Sequence, residues 1–137
     1  MSVETNTALV QSMYDAIQAG DTSALWTVFA DDIEIEVFGP PEIPFAGTHR
    51  GREGLDAFFQ TVAHHTERPD EDHVPEVREL IAQGDKVVAI GVDKVRGRAT
   101  ARAYDGWWVH VIELRGGKVA RVREYIDTAA AREMFAG

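Results

Sequence analysis

His110 and Glu124 are the residues of this chain whose types and placement could do chemistry. An imidazole can take or give a proton near neutral pH, and a carboxylate on its second ring nitrogen fixes its tautomer and orientation. Both lie in a run that reads as two strands about a tight turn: Gly106 to Leu114, then Arg115-Gly116-Gly117, then Lys118 to Asp127. Strand side chains alternate with period two, so turn length decides whether the pair shares a face.

Two registers follow. A two-residue Gly116-Gly117 loop pairs Arg115 with Lys118, which puts His110 with Arg121, Arg123 and Tyr125 and sends Glu124 to the other side. A three-residue loop, with Gly117 left-handed as a bulge, pairs Leu114 with Lys118. One face then carries Trp108, His110, Ile112, Leu114, Ala120, Val122, Glu124 and Ile126. The other carries Trp107, Val109, Val111, Glu113, Val119, Arg121, Arg123 and Tyr125. This second register separates polar from apolar better. In it His110 opposes Val122, and Glu124 is a diagonal neighbour roughly 7–8 Å away between backbones. It predicts a base and an acid in an otherwise apolar wall. The alternative is a core histidine satisfied by a nearby carboxylate, with no role in chemistry.

The elements that must hold this hairpin follow from periodicity and punctuation. Thr5 or Asn6 can cap a first helix running to about Ala19, with Leu9, Met13, Ala16 and Ile17 as its apolar stripe beside Val10 and Tyr14. Gly20 stops it, and Asp21 or Thr22 can cap a short helix from Ser23 to Ala30. Ile33, Ile35 and Val37 alternate with Glu34 and Glu36 as a strand. Pro40, Pro41 and Pro44 forbid regular pairing in the next segment, where Ile43 and Phe45 need cover. Gly39 and Gly47 bracket that loop and could let it act as a lid. A third helix spans about Arg52 to His65, with Leu55, Phe58, Phe59 and Val62 inward. Strands follow at Val74 to Gln83, Lys86 to Val95, Ala99 to Leu114 and after the turn, and a short helix closes the chain from Thr128 to Phe135. Helices first and then antiparallel strands give an α+β class. A strongly curved, mostly antiparallel sheet around three N-terminal helices makes a cone with an open mouth.

The 137 residues fit one domain, 1–137, with no repeat or linker. The formal net charge of −9 argues against a nucleic-acid partner, since phosphate would be repelled. No apolar run is long enough to span a bilayer, and no secretory signal opens the sequence. With no cysteine, thiol catalysis and disulfides are excluded, and the expectation is a cytoplasmic protein.

Ala19-Gly20-Asp21, Phe29-Ala30-Asp31-Asp32, Phe45-Ala46-Gly47-Thr48-His49-Arg50-Gly51, Gln83-Gly84-Asp85, Gly117-Lys118-Val119 and Arg123-Glu124-Tyr125-Ile126-Asp127 occur in this order. The ordered set resembles the SnoaL-like group of the nuclear transport factor 2-like superfamily over nearly the whole chain. The resemblance implies the cone-shaped fold, a deep pocket and a homodimer formed through the outer sheet face. It does not specify a reaction, because the superfamily includes isomerases, polyketide cyclases, epoxide hydrolases, dehydratases and non-catalytic binding modules. Its best-understood chemistry is ketosteroid isomerisation, with a carboxylate base, a tyrosine and a protonated aspartic acid. Matched onto this chain, the base falls at Val37, the tyrosine at Met13 beside Tyr14, and the oxyanion acid at His110. All three positions depart, so that particular reaction is not expected.

The reading is a cofactor-free acid–base enzyme of isomerase, cyclase or hydrolase type, acting on a small, largely apolar molecule. His110, Glu124 and Tyr14 are its candidate catalytic residues, and the alternative is a non-catalytic binder of a hydrophobic metabolite. The expected pocket wall is Met13, Ile17, Trp26, Phe29, Ile35, Val37, Phe59, Trp108, Ile112, Val122 and Ile126. Trp107, Val109 and Tyr125 suit a subunit interface, with Arg121 and Arg123 at that interface or paired with Glu113. Asp127 is read as a helix cap. His64, His65 and His73 with Glu67, Asp70 and Asp72 contain metal-ligating atoms but match no metal motif, and no metal or cofactor is expected.

Overall fold

A computed structural model describes residues 2–68 and 75–136. The expected helices form with shifted ends. Helix α1 spans Val3–Ala19, capped not by Thr5 or Asn6 but by Ser2, whose hydroxyl accepts from the Thr5 N–H at 3.1 Å. Asn6 is instead buried and donates from Nδ2 to the Gly84 carbonyl at 3.2 Å, tying α1 to a distant turn. Gly20 ends the helix in the left-handed region, as its lack of a Cβ allows. Helix α2 spans Thr22–Val28 behind an Asp21 cap, and it stops early because Phe29 already has extended backbone. Strand β1 spans Phe29–Val37 and buries Ile33, Ile35 and Val37 as the alternation requires.

In the proline-rich segment, Ile43 and Phe45 are both buried, and two tight turns carry the chain back. Phe45 is wedged edge-on between Phe58 and Phe135, so the loop is anchored as wall. Strand β2 (Gly47–Arg50) was not expected; it pairs with β1 and leads into helix α3, Gly51–His65. Strand β3 is the short Thr66–Glu67, and β4 is Glu76–Gln83. Val74, Asp70, Asp72 and His73 lie outside the described residues.

Strand β5 runs Lys86–Gly97, β6 Ala103–Arg115, β7 Lys118–Ile126, and α4 Thr128–Phe135 closes the order. Asp127 caps α4, accepting from the Ala130 N–H at 3.1 Å. The strands form one strongly curved sheet in the order β2-β1-β7-β6-β5-β3, with β4 also on β5. Among the described residues all pairings are antiparallel except β1 with β7, so the sheet is mixed. The helices pack in its hollow over a core that includes Ile33, Leu55, Ile112 and Val119, each fully buried. Burying one such side chain stabilises the fold by about 1.5–3 kcal/mol.

The β6–β7 hairpin corrects the expected register. Its turn has two residues, since Arg115 pairs with Lys118, and Gly116 and Gly117 both have positive φ (57° and 76°). Two consecutive left-handed residues give the turn whose twist matches a hairpin, and glycine adopts them without strain. Leu114 then pairs with Val119, but Glu113 pairs with Arg121, leaving Ala120 without a partner on β6. This β-bulge absorbs one residue and restores the parity that the longer loop would have given. Val119 therefore joins the core instead of the outer face, and His110 stands directly opposite Glu124 rather than Val122.

Candidate active site

Beneath the sheet lie two adjoining cavities. The larger, about 460 Å³, opens among α3, α4 and the far ends of β5 to β7. The smaller, about 140 Å³, runs inward between α1, β1 and β7. Ile17, Phe58, Phe59 and Glu124 border both. Among the described residues Glu124 is the only carboxylate to do so.

Three side chains from distant parts of the chain meet at this junction. The Tyr14 hydroxyl on α1 lies 2.6 Å from His110 Nδ1 on β6. On the far side of the ring, His110 Nε2 lies 3.6 Å from Glu124 Oε1 on β7. Tyr14 is only 2 % exposed. Burial pushes its hydroxyl well above the usual tyrosine range, and the nearby charge of Glu124 adds to the rise. Tyr14 therefore keeps its proton, and its neutral hydroxyl can donate to Nδ1 or accept from it; the acceptor-only carboxylate facing Nε2 favours the tautomer with the ring hydrogen there and Tyr14 as donor to Nδ1. Trp108 completes the arrangement: its indole stacks on the His110 ring at 4.4 Å and on Tyr14 at 5.6 Å.

Met13, Phe29, Ile35, Val122 and His110 line the smaller cavity, whereas Trp108 and Ile126 line the larger. Three expected wall positions lie elsewhere. Val37 and Ile112 face inward but are covered by core packing, and neither borders either of these two cavities. Trp26 is half-buried, edge-on to Phe29 at 5.6 Å with the Arg52 guanidinium 4.7 Å over its ring, and also borders neither. Tyr14 does not point into open space either, because its hydroxyl is taken by His110.

The outer rim was not foreseen. Arg68 makes a two-pronged ion pair with Asp93, and Glu67 binds Arg96 at 2.8 Å and Arg98 at 3.2 Å. Arg68, Asp93, Glu67 and Arg98 all border the larger cavity. Their spacing in sequence carries no signal, since the pairing of β3 with β5 is what gathers them. Tyr104, also on this wall, donates to the Trp107 carbonyl at 2.7 Å and accepts from the Asp127 N–H at 3.1 Å. Arg121 pairs with Glu36 at 3.4 Å across the parallel β1–β7 contact rather than with Glu113, which faces Lys86 at 3.7 Å. Among the described residues no group of three or more His, Asp or Glu side chains could hold a metal ion. None of their helices is long and apolar enough to cross a membrane.

Comparison with known proteins agrees with this architecture. The SnoaL-like domain profile matches residues 10–122. An NTF2-like protein from Burkholderia xenovorans is 36% identical over 99% of both chains, with a TM-score of 0.84. An NTF2-like protein of unknown function from Burkholderia pseudomallei is 23% identical over 100% of both chains, with a TM-score of 0.82. TerC, crystallised with polyporic acid, is 23% identical over 96% of this chain and 98% of its own, with a TM-score of 0.81. No curated protein matches the sequence. From the profile match and the 36% identical relative, the chain belongs to the SnoaL-like family of NTF2-like proteins.

Proposed function

We propose that this protein is a small-molecule enzyme that works by cofactor-free acid–base chemistry of the isomerase, cyclase or hydrolase type on a largely apolar substrate. The observation that carries the reading is the Tyr14–His110–Glu124 chain, which ends at the carboxylate bordering both cavities. Tyr14 anchors the imidazole, the imidazole N–H faces Glu124, and Glu124 takes a proton from substrate and returns it. Such a group contributes a factor of about 10²–10⁴. This reading leaves out ketosteroid isomerisation of the established kind, since the family resemblance puts its base at Val37, a buried apolar side chain that takes no proton.

Support for a small-molecule ligand comes from the cavity volume and from TerC, which shares the fold and was crystallised with polyporic acid. The exposed Trp107 and Tyr125 on the outer sheet face support a homodimer through that face. A panel of apolar ketones, epoxides and lactones tests the enzyme reading by turnover and by proton exchange in D₂O. Glu124→Gln and His110→Ala should each lower turnover by about 10² or more, with circular dichroism unchanged. Equal turnover in wild type and both variants would remove the proposal. A second reading, a non-catalytic binding protein, is favoured by the 3.6 Å His110–Glu124 separation, which exceeds hydrogen-bond length. Tight binding without turnover or exchange would establish it.

A further inference from the structure

The smaller cavity differs in kind from the larger. Met13, Phe29, Ile35 and Val122 border it and are all buried, so it lies inside the fold and not at its surface. Of the described side chains around it, only His110 and Glu124 carry nitrogen or oxygen. The imidazole is already engaged, with Nδ1 2.6 Å from the Tyr14 hydroxyl and Nε2 facing Glu124. A buried water needs about three polar partners, and these side chains offer them at one edge only. A compact hydrocarbon group suits the space better. Its volume is about 140 Å³, and an apolar cavity of about 150 Å³ admits benzene.

Ile17, Phe58, Phe59 and Glu124 border both cavities and form the neck between them. The larger cavity is of mixed character, with Glu67, Arg68, Asp93 and Arg98 on its rim. A molecule reaching through the neck therefore meets hydrocarbon at one end and charge at the other. We propose that the inner cavity is a binding subsite for one phenyl-sized ring, and that the ligand class is an arylalkyl compound whose polar end stays in the larger cavity. The ring's width is limited by the sheet. Ile35 and Val122 are register partners across the parallel β1–β7 contact, so they do not part without breaking that pairing. The inference rests on the small-molecule reading but not on its acid–base chemistry.

The probes are benzene, 3-phenylpropan-1-ol and the same alcohol with methyl groups at both meta positions of the ring. Met13 borders the inner cavity and Met134 the larger, so ¹³C-methyl-labelled methionine reports on each separately. Met13→Leu and Met134→Leu assign the two signals. Benzene should shift the Met13 methyl saturably and leave Met134 in place, whereas 3-phenylpropan-1-ol should shift both. The added ring methyls should weaken binding by at least about tenfold, the least cost of one misfitting methylene in an apolar pocket. Val122→Phe, which fills the inner cavity, should abolish the Met13 response to benzene. Ile35→Phe replaces it if that variant fails to fold, and the wild-type shifts decide if neither folds. A Met13 signal unmoved by benzene, or Met134 moved as strongly, would overturn the assignment. So would equal affinity for the two alcohols, or an unchanged response in a folded filled variant. The expected shifts without turnover anywhere in the substrate panel would uphold the subsite and remove the acid–base reading.

Discussion

Tyr14, His110 and Glu124 act on one another through single contacts, so replacing any one leaves a named atom without its partner. In Tyr14→Phe the part-buried Nδ1 of His110 loses its hydroxyl partner, with an expected stability loss of about 1 kcal/mol in urea unfolding. The same variant should show a changed dependence on pH. The ordinary tyrosine value is 10.0, and burial raises that of Tyr14. Above that pH the unfolded chain releases a proton that the folded chain retains. The stabilisation is thus complete below about pH 10 and drains as pH climbs past it. Tyr104, also raised by burial, contributes in the same direction. Urea midpoints measured from about pH 9 to 11 should fall less steeply in Tyr14→Phe than in wild type, and parallel curves would contradict the assignment. His110 and Glu124 were legible because a polar pair in an apolar strand pattern stands out. The hydroxyl contact of Tyr14 was not, since a helix residue 96 positions away meets the histidine only through tertiary packing.

At the scale of elements, the hairpin separates what sequence pattern fixes from what it leaves open. Polarity assigned His110, Val122 and Glu124 to one face, and the structure agrees, but the turn-length reasoning attached to it was wrong. Two registers that differ by one residue give the same faces when the extra residue sits in the turn or in a bulge, and periodicity alone cannot tell them apart. Deleting Ala120 should therefore leave the ladder pairs on either side intact, because that residue has no partner on β6. Cross-strand backbone nuclear Overhauser contacts between His110 and Glu124 should survive the deletion, and their loss would mean that the bulge sets the pairing. Gly116→Ala, forced to φ near 57°, should cost about 1–2 kcal/mol in thermal or urea unfolding. The helices were legible to within a few residues from caps and stripes. Strand β2 was hidden because four residues, Gly-Thr-His-Arg, carry no alternation to read.

For the whole molecule, the polarity of the two sheet faces sets the expected assembly. The inner face is closed by helices, whereas the outer face presents Trp107 at 57 % exposure and Tyr125 at 41 %, the latter stacked on Phe38 at 4.7 Å. Exposed aromatic surface of this kind is characteristic of protein contacts. If the proposed homodimer forms through this face, wild type should sediment as a dimer and Trp107→Glu as a monomer in analytical ultracentrifugation; a monomeric wild type or a dimeric variant would contradict it. The same substitution should leave turnover of any compound in the substrate panel unchanged, since Trp107 borders neither cavity.

The parallel β1–β7 pairing also dictates when the site can exist during synthesis. Among the described residues strand β1 is joined to the rest of the sheet only through β7, so the β1–β2 pair within residues 29–50 has no further described strand to lie against until Lys118–Ile126 has been made. Contacts that span so much of the chain are slow to form, because the intervening loop must be closed first. A ribosome-bound chain halted before Lys118 therefore lacks both the strand that completes the sheet and the carboxylate it carries. Completion of the sheet and delivery of Glu124 to its place opposite His110 are one event, and both wait for β7.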